Sequence, residues 1–497
     1  MSGSLVEIGV AVAIYFAAVL VLGTLASRRS ASSPEEYFLA GRGLGTVVLF
    51  MALFGTNCTS FVLVGIPAQA YLHGVGVFGL NAAVLALGIP LSFWAIGSPA
   101  RRMGLRLGAL TPAELYAKRF GSRAVAYALF GAFTLYTLPY MVQGVKGAAV
   151  TLAQATQGQV PQPLAGAAVL AIALVYTSLG GMRATAWTNV FQGALFLVFM
   201  LAALVLMGRS LGGFEAALEA TERVDPQLLV RGDDWLYPPG KWASWSLVIS
   251  ATVIGFPHML ARLMAARDER ALRNVSRLYP IALVMIWLPA VMIGVWGAGA
   301  FPGLAPAEAD TIFQRMVAGH MPPALGALGF LAVLAAVMST LDAQLLTLSS
   351  MLVRDVLPAE RAPRAEVRIG RVFALLLAVA VYVLALVWSD ASVFDLSRKA
   401  FEGYTTLVPA LFLGVRWRRC TAAGALASIA AGNLVLVLGW LDKLPPNPFL
   451  PVFWAFLAAI AAGLLVSLAT PPTDVTRTRS AFGGPVSKYG AAPDSSA

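Results

Sequence analysis

A run of small and polar residues, Gly55–Ser60, lies in the middle of an apolar stretch long enough to cross a membrane. Lipid satisfies no hydrogen-bonding group, so such a run must contact protein, water or a bound ion. A second interruption, Ser250–His258, comes five hydrophobic segments later. Two helix breaks at matched positions are typical of an ion and solute binding site, because unwound backbone exposes its carbonyl groups to a cation. The alternative is a patch of small residues that only packs helices together.

The elements that carry these breaks must be membrane helices. The chain has 497 residues, of which 59% are hydrophobic and 12% are charged, and its mean hydropathy is +0.77. Soluble proteins carry about 25% charged residues, so the composition excludes an ordinary soluble domain. We expect an all-α polytopic membrane protein with one transporter domain at 1–469 and no cleavable signal peptide. The Pro-, Ser- and Gly-rich segment 470–497 is expected to be a disordered cytoplasmic tail.

Apolar segments of about 18–25 residues predict thirteen transmembrane helices. They lie near residues 5–26, 45–71, 75–98, 123–155, 161–179, 183–207, 243–265, 278–300, 322–350, 368–388, 394–415, 419–440 and 449–469. Most of the 35 lysines and arginines fall in alternate connections between these segments. Because basic loops stay in the cytoplasm, we expect the N-terminus outside and the C-terminus inside the cell. The net charge of +11 therefore reflects topology and does not indicate nucleic-acid binding.

Catalytic, metal and redox chemistry are not expected. The chain has two cysteines, Cys58 and Cys420, and three scattered histidines, which form neither a disulfide framework nor a metal-binding pattern. Asp342 and Glu402 are the acidic residues expected well inside a span, which is too few for a catalytic constellation. No appended domain suggests a receptor or sensor. A membrane transporter is therefore favoured over a membrane enzyme, a receptor or a channel.

Four motifs, in this order, resemble the sodium:solute symporter family. They are the Gly55–Ser60 break, the segment Gly180–Gln192 of the sixth span, the segment Gly255–Arg262 of the seventh and the segment Ala335–Gln344 of the ninth. The resemblance runs from about residue 1 to 469. It implies a LeuT-like core of two inverted five-helix repeats, at about 45–207 and 243–415, with one helix before and two after.

The resemblance also implies an activity. Members of this family are secondary active symporters of the cytoplasmic membrane, the inner membrane in many bacteria, and they import a small organic solute with sodium by alternating access. Sodium is then the coupling ion, no organic cofactor is needed, and the chain is expected to work as a monomer. Two alternatives stay open at this point: proton coupling or sodium independence on the same fold, and a pantothenate or sugar as the solute.

The family's main sodium site maps onto five positions of this sequence. The implied ligands are the backbone oxygens of Gly55, Cys58 and Ala336 and the side-chain hydroxyls of Ser339 and Thr340. Sodium is a hard cation that prefers oxygen, and residues at i, i+3 and i+4 share one helical face. The alternative is that the two hydroxyls only bond back to their own helix.

A candidate second cation or proton site comprises Thr188, Asn189 and Asp342. Many relatives carry aspartate at the position of Asn189, so a carboxylate is missing there. An intramembrane carboxylate costs about 2.5–3.5 kcal/mol, which favours a functional or paired role for Asp342. We hypothesise that Asp342 faces the polar stripe of the sixth span, formed by Thr185, Thr188, Asn189 and Gln192, and replaces that carboxylate. A purely structural pairing is the alternative.

The solute pocket is expected at the membrane midplane between spans 2, 4, 7 and 11. Its predicted lining residues are Thr56, Asn57, Thr59, Ser60, Tyr140, Gln143, Lys146, Val253 and Phe256, and Gly403, Tyr404 and Thr405 are candidates to complete it. The wall from the seventh span is small and apolar. That composition favours a small monocarboxylate, or an amino acid such as proline, over a sugar that needs many polar partners.

Lys146 has three open interpretations, because an unpaired ammonium inside a span is expensive. It pairs with an acid such as Asp342 or Glu402, it binds a solute carboxylate, or it extends toward the surface. Glu402 itself has nearer basic neighbours, Arg398 and Lys399, at i−4 and i−3. A local ion pair is one interpretation of Glu402, and a position facing Lys146 is the other.

Overall fold

The protein is helical throughout the part of the chain that the structure describes. The computed structural model describes residues 5–27, 34–177, 181–322, 325–357 and 363–483. Within those ranges there is no β-strand, only one isolated bridge between Leu44 and Ala266. The all-α architecture expected from the sequence is therefore confirmed.

Twenty α-helices make up these residues. They are α1 Leu5–Ser27, α2 Pro34–Leu39, α3 Thr46–Asn57, α4 Phe61–His73, α5 Gly76–Leu107, α6 Pro112–Phe120, α7 Arg123–Ala155, α8 Gln162–Thr177, α9 Met182–Ser210, α10 Phe214–Val224, α11 Pro239–Gly255, α12 Pro257–Met264, α13 Glu269–Ala300, α14 Ile312–His320, α15 Gly326–Val356, α16 Pro363–Val387, α17 Val393–Arg416, α18 Ala422–Trp440, α19 Pro451–Ala469 and α20 Val475–Phe482. Short 3₁₀ turns lie at Ala40–Arg42, Pro226–Leu229 and Pro306–Thr311.

Fewer described helices meet the length and apolarity needed to cross a membrane than the sequence predicts. Among the described residues, nine helices are long and apolar enough to cross a membrane, and two bent pairs raise the number to eleven. The predicted spans at 161–179 and 394–415 are missing from this set. Helix α8 has only 16 residues, with the end of the first of these spans and Gly180 outside the described residues, and α17 carries several charged side chains. The count of thirteen is not confirmed.

The two bent pairs are the broken spans that the sequence predicts. Helix α3 meets α4 at an angle of 55°, and α11 meets α12 at 54°. Each pair begins a series with the same number of helices. The first series runs from α3 to α9 and the second from α11 to α17. Two similar bends are what two repeats of one fold predict, and the repeat limits of about 45–207 and 243–415 stay a prediction.

Helix α15 lies at the centre of the molecule. Its apolar window is 83% buried, against 11% for α1 at the periphery. It packs against α3, α7, α9 and α12, so it contacts both broken spans. A polar side chain on α15 therefore faces protein rather than lipid, which is the condition for an internal ion site.

The segment that the sequence predicts to be disordered contains a docked helix, α20. Asp474 caps it by accepting a hydrogen bond from the Arg477 backbone nitrogen at 2.9 Å. At its other end the Phe482 ring lies 4.9 Å from the Arg119 guanidinium and 5.6 Å from that of Arg418. These cation–π contacts fasten the helix to α6 and to the loop after α17. Residues 484–497 of the predicted tail lie outside the described residues.

We expect Phe482→Ala to release α20, because it removes two cation–π contacts of about 0.5–1 kcal/mol each. Trypsin cuts after arginine and should then cleave at Arg477 and Arg479 faster than in the wild type, while the transmembrane core resists. Val475→Ala is the matched control, since Val475 is an exposed side chain of the same helix. Equal cleavage rates for the two variants would contradict this docking.

Candidate functional site

The first helix break frees two backbone carbonyl groups. Helix α3 ends because Cys58 adopts an extended conformation, with φ −87° and ψ 105°. In a continuous helix the carbonyls of Gly55 and Thr56 would accept from the nitrogens four residues later, which here lie beyond the break. The carbonyls must therefore find other partners inside the protein.

Their partners are two hydroxyl groups of α15. Ser339 Oγ donates to Gly55 O at 2.7 Å, and Thr340 Oγ1 donates to Thr56 O at 2.9 Å. Both hydroxyls also lie within reach of Ala336 O, at 2.8 and 3.1 Å. Each hydroxyl thus contacts both its own helix and the first break, so the two interpretations of Ser339 and Thr340 do not exclude each other. Five buried oxygen atoms converge, a donor set that suits a hard cation.

The cluster differs from the predicted ligand set at two atoms, Thr56 O and Cys58 O. The Thr56 carbonyl was not predicted as a ligand. The sequence contains a signal for it, because two neighbouring hydroxyls, Ser339 and Thr340, can each pair with one of two neighbouring carbonyls, Gly55 and Thr56. Cys58 O is a predicted ligand that remains a prediction. Val62 N, its donor in a continuous helix, bonds to Thr59 O instead at 2.9 Å, which supports the availability of the Cys58 carbonyl.

Helices α3 and α9 approach closely beside this cluster. A Cβ atom added at Gly55 would lie 3.0 Å from Asn189 O, and one added at Gly193 would lie 3.6 Å from the Gly55 Cα. The approach is tightest at Gly55, where a side chain would force the α9 backbone to shift. The small residues of the first break therefore also serve helix packing, the alternative considered for them.

Asn189 connects α9 to the cluster and to a buried arginine. Its neighbours orient the amide so that Oδ1 accepts from Thr56 Oγ1 at 2.9 Å and from Arg262 Nη2 at 2.8 Å. The nitrogen then donates to Thr185 O at 3.1 Å and to Gln192 Oε1 at 2.9 Å. Arg262 has no solvent exposure. The sequence alone assigns Arg262 no role beyond its place in the Gly255–Arg262 motif and does not indicate this position inside the protein.

Asp342 of α15 is linked through Tyr15 to Gln192, the last residue of the polar stripe on α9. The carboxylate is buried and interacts electrostatically with Tyr15, whose hydroxyl accepts from Gln192 Nε2 at 2.7 Å. Thr188 Oγ1 donates to Thr185 O of its own helix at 3.0 Å. These contacts support the hypothesis that Asp342 faces α9, and they add Tyr15 of α1, which sequence reasoning did not include.

Thr59, Ser60 and Gln143 form one hydrogen-bonded unit on the far side of the break. Gln143 Nε2 donates to Thr59 Oγ1 at 3.1 Å, and Ser60 Oγ lies 2.7 Å from Gln143 Oε1 and 3.0 Å from Gln143 O. Helix α7 comes this close because it has Gly147 facing Ser60, where a Cβ atom would overlap the serine side chain. Asn57 is half-buried and interacts with the Tyr279 hydroxyl on α13.

Aromatic rings join the two breaks. The ring centroids of Tyr140 and Phe256 are 4.9 Å apart and stacked, and Phe401 meets the Tyr140 ring edge-on at 5.4 Å. Phe401 also contacts Phe61, just after the first break, at 4.9 Å. Val253 is buried one turn before Phe256. The structure thus brings predicted pocket residues from α7 and α11 together and adds Phe61 and Phe401, which the sequence did not single out.

The Lys146 ammonium contacts a loop. It donates to Ser389 O at 2.5 Å and to Ala391 O, both between α16 and α17. Glu402, an alternative partner, lies 3.6 Å from Arg398 and accepts from Trp440 Nε1 at 2.7 Å. Of the three interpretations of Lys146, these contacts favour extension toward the surface.

An acidic side chain stabilises the same loop. Asp310, in the 3₁₀ turn Pro306–Thr311, accepts from Val393 N at the start of α17 at 3.0 Å. Burial raises the pKa of the Asp310 carboxyl above its usual range, and the nearby Lys146 ammonium partly offsets that effect. Lys146 and Asp310 therefore hold the α16–α17 loop from two sides.

We expect Lys146→Met to leave the KM for the solute unchanged and to lower stability by about 1–3 kcal/mol, because two hydrogen bonds from a charged group are lost. Lys146→Arg, which keeps the charge and the donors, is the matched control. Thermal unfolding in detergent and uptake kinetics measure the two effects. A large rise in KM without a loss of stability would instead support contact of Lys146 with the solute.

The sequence model of the Sodium:solute symporter family matches residues 37–432. The chain is similar to the sodium/pantothenate symporter of Escherichia coli (strain K12), with 26% identity over 477 residues, 93% of this chain and 97% of that protein. It is similar to the sodium/proline symporter of Salmonella typhimurium (strain LT2), with 27% identity over 460 residues, 86% of this chain and 88% of that protein.

One solved structure bears on the fold. A Na⁺-coupled sialic acid symporter in a substrate-bound, outward-open state superposes with a TM-score of 0.76, covering 93% of this chain and 97% of that one. The sequence identity is 18%, so this likeness concerns the fold alone. It confirms the LeuT-like architecture expected from the sequence.

Proposed function

Because the chain belongs to the sodium:solute symporter family, we propose that it imports a small carboxylate-bearing solute together with sodium. It is a transporter of the multi-pass membrane class and not an enzyme. The observation that carries the proposal is the buried cluster of oxygens at Gly55, Thr56, Ala336, Ser339 and Thr340, of which the first two lie on the broken helix whose second half contacts the aromatic rings between the two breaks.

Sodium is the coupling ion, and the oxygen cluster supports a mechanism for its coupling to the solute. Its ligands come from α3 in the first repeat and α15 in the second, so a bound ion ties the two repeats together. Thr59 and Ser60 lie only a few residues from Gly55 on the same broken segment. An ion that fixes this backbone therefore also fixes the polar side of the solute pocket, and rocking of the repeats then exposes both to the other side.

The solute class rests on the pocket and on the relatives. Proline, pantothenate and sialic acid, the solutes of the similar proteins, all carry a carboxylate. The rings of Tyr140, Phe256 and Phe401 offer an apolar surface to the rest of a small molecule. We propose a monocarboxylate or an amino acid such as proline, with pantothenate as the alternative.

We propose one sodium ion per transport cycle. Thr188, Asn189 and Asp342 remain the candidate second cation or proton site, but the Arg262 guanidinium lies 2.8 Å from the Asn189 oxygen. A fixed positive charge at that distance disfavours a second sodium ion there. Binding and release of a proton at the Asp342 carboxylate remains compatible with the Arg262 charge beside Asn189.

The membrane arrangement is also a proposal. The distribution of basic residues supports an N-terminus outside and a C-terminus in the cytoplasm. The buried site is built from residues of one chain, which supports a functional monomer.

The deciding experiment is uptake into proteoliposomes with sodium and pH gradients imposed separately. We expect uptake of labelled proline, pantothenate or pyruvate under an inward sodium gradient and none under a proton gradient alone. A sodium-to-solute flux ratio near one supports a single ion. Uptake that ignores sodium and follows pH would overturn the proposed coupling, and a ratio near two would overturn the proposed stoichiometry.

A further inference from the structure

The second helix break contains two buried polar side chains without partners. Thr252 lies in the last turn of α11, and His258 lies in the first turn of α12. Both are buried, and neither Thr252 Oγ1 nor either ring nitrogen of His258 has a hydrogen-bond partner among the described residues. Buried polar groups are almost always hydrogen-bonded, so three unsatisfied atoms at one break require an explanation.

The first break shows that this protein satisfies such groups where it can. Ser60 follows the extended Cys58 by two residues, as His258 follows the extended Phe256, and both Ser60 and its neighbour Thr59 are hydrogen-bonded to Gln143. No equivalent side chain among the described residues reaches Thr252 or His258. Among the described residues, the second break thus contains unsatisfied buried side-chain groups, and the first break contains none.

The imidazole stands in the aromatic wall between the breaks. Its ring stacks on Phe256 at 5.3 Å, with an interplanar angle of 13°, and lies 6.2 Å from the Tyr140 ring. Phe401 contacts both of those rings. The unpartnered His258 nitrogens therefore lie beside Tyr140 and Phe256, two of the residues predicted to line the solute pocket.

The backbone at this point favours an anion. Phe256 is extended, with φ −69° and ψ 122°, and Pro257 begins α12 without an amide hydrogen. The first intrahelical bond is donated by Leu260 N to Phe256 O at 3.0 Å. The nitrogens of His258 and Met259 precede that bond, at the positive end of the helix.

We propose that Thr252 and His258 bind the carboxylate of the transported solute at the N-terminus of α12. A hydroxyl and a neutral imidazole both donate hydrogen bonds, and the adjoining rings of Tyr140, Phe256 and Phe401 cover an apolar body. This inference rests on the proposed symport function, and it names the residues that recognise the solute. Sequence analysis assigned His258 no role and did not include Thr252 in the pocket.

The test uses the purified full chain in proteoliposomes under an inward sodium gradient. Proline, pantothenate and pyruvate are the carboxylate probes, and galactose is the neutral probe. For each carboxylate that the wild type takes up, His258→Leu and Thr252→Val should each raise KM by about 10-fold or more, because a hydrogen bond to a charged group is lost. Binding of labelled sodium without solute should keep its wild-type affinity.

Conservative variants separate recognition from packing. His258→Gln and Thr252→Ser retain a donor and should recover most of the wild-type KM. The amide of the transported acid should inhibit the wild type weakly, and His258→Leu should discriminate less between acid and amide. Ser428→Ala is the matched control, since Ser428 is a buried, unpartnered hydroxyl between α18 and α19, and its KM should not change.

Three results would overturn the inference. One is a wild-type KM for both His258→Leu and Thr252→Val. Another is sodium-driven uptake of galactose and of none of the three carboxylates by the wild type. That result would exclude carboxylate recognition and leave sodium-coupled symport in place. The third is sodium-independent behaviour of the wild type with every probe, which removes the proposed function together with the inference.

Discussion

Replacing Ser339 by alanine and Thr340 by valine together is expected to abolish sodium-dependent uptake at ordinary sodium concentrations. The double change removes both side-chain oxygens from the cluster and leaves the Gly55 and Thr56 carbonyls without their present donors. Each hydroxyl contributes about 0.5–1.5 kcal/mol as a hydrogen bond and more as an ion ligand, so the half-saturating sodium concentration should rise by about 100-fold. Uptake measured against sodium concentration, and binding of labelled sodium, check this result.

The single variants separate the contributions of the two hydroxyls, and a matched control tests for a general effect of changing α15. Ser339→Ala and Thr340→Val should each weaken sodium binding by about 10-fold, since each loses one oxygen. Ser350→Ala is the control, because Ser350 Oγ lies on the same helix and donates to Leu346 O of that helix at 2.6 Å. An unchanged sodium dependence in the double variant would exclude these hydroxyls as ligands.

Arg262→Leu is expected to destabilise the protein by about 3–5 kcal/mol, because breaking a buried charged network leaves its other members uncompensated. Arg262 is fully buried and donates to Asn189, which belongs to the network that reaches Asp342 through Gln192 and Tyr15. Thermal unfolding in detergent measures the loss. Arg262→Lys should recover only part of it, since a lysine cannot reproduce the planar donor fork.

A double-mutant cycle tests whether charge balance is the cause. Arg262→Leu combined with Asp342→Asn removes both formal charges and should be more stable than Arg262→Leu alone. The matched control is Arg267→Leu, whose side chain is 65% exposed in a surface ion pair with Asp268 and should change stability by at most about 1 kcal/mol. If the double variant is no more stable than the single one, the charge of Arg262 is not balanced through this network. The Asp342→Asn variant alone also tests a functional role, which unchanged sodium-dependent uptake would exclude.

The sequence by itself determined the membrane class and the two helix breaks, whereas the ligands of the sodium site stay a prediction. Hydropathy and motif order are local properties, and a Gly-Thr-Asn-Cys-Thr-Ser run cannot continue an apolar span without a partner. The i, i+3, i+4 spacing of Ala336, Ser339 and Thr340 likewise fixes one helical face before any tertiary contact is known. The structure brings that face to the Gly55 carbonyl, as the resemblance implied.

Tertiary structure alone decided which polar groups satisfy one another. Sequence reads Arg262 as one more basic residue near a helix end, and His258 as a lone histidine, because neither burial nor partners are visible in one dimension. Packing puts Arg262 against Asn189 and leaves the His258 nitrogens unpartnered in the aromatic wall. The same holds for Lys146, whose contacts on the α16–α17 loop depend on residues more than 240 positions away. Such contacts arise when helices far apart in the sequence pack together, and the local periodicity of the sequence does not predict that packing.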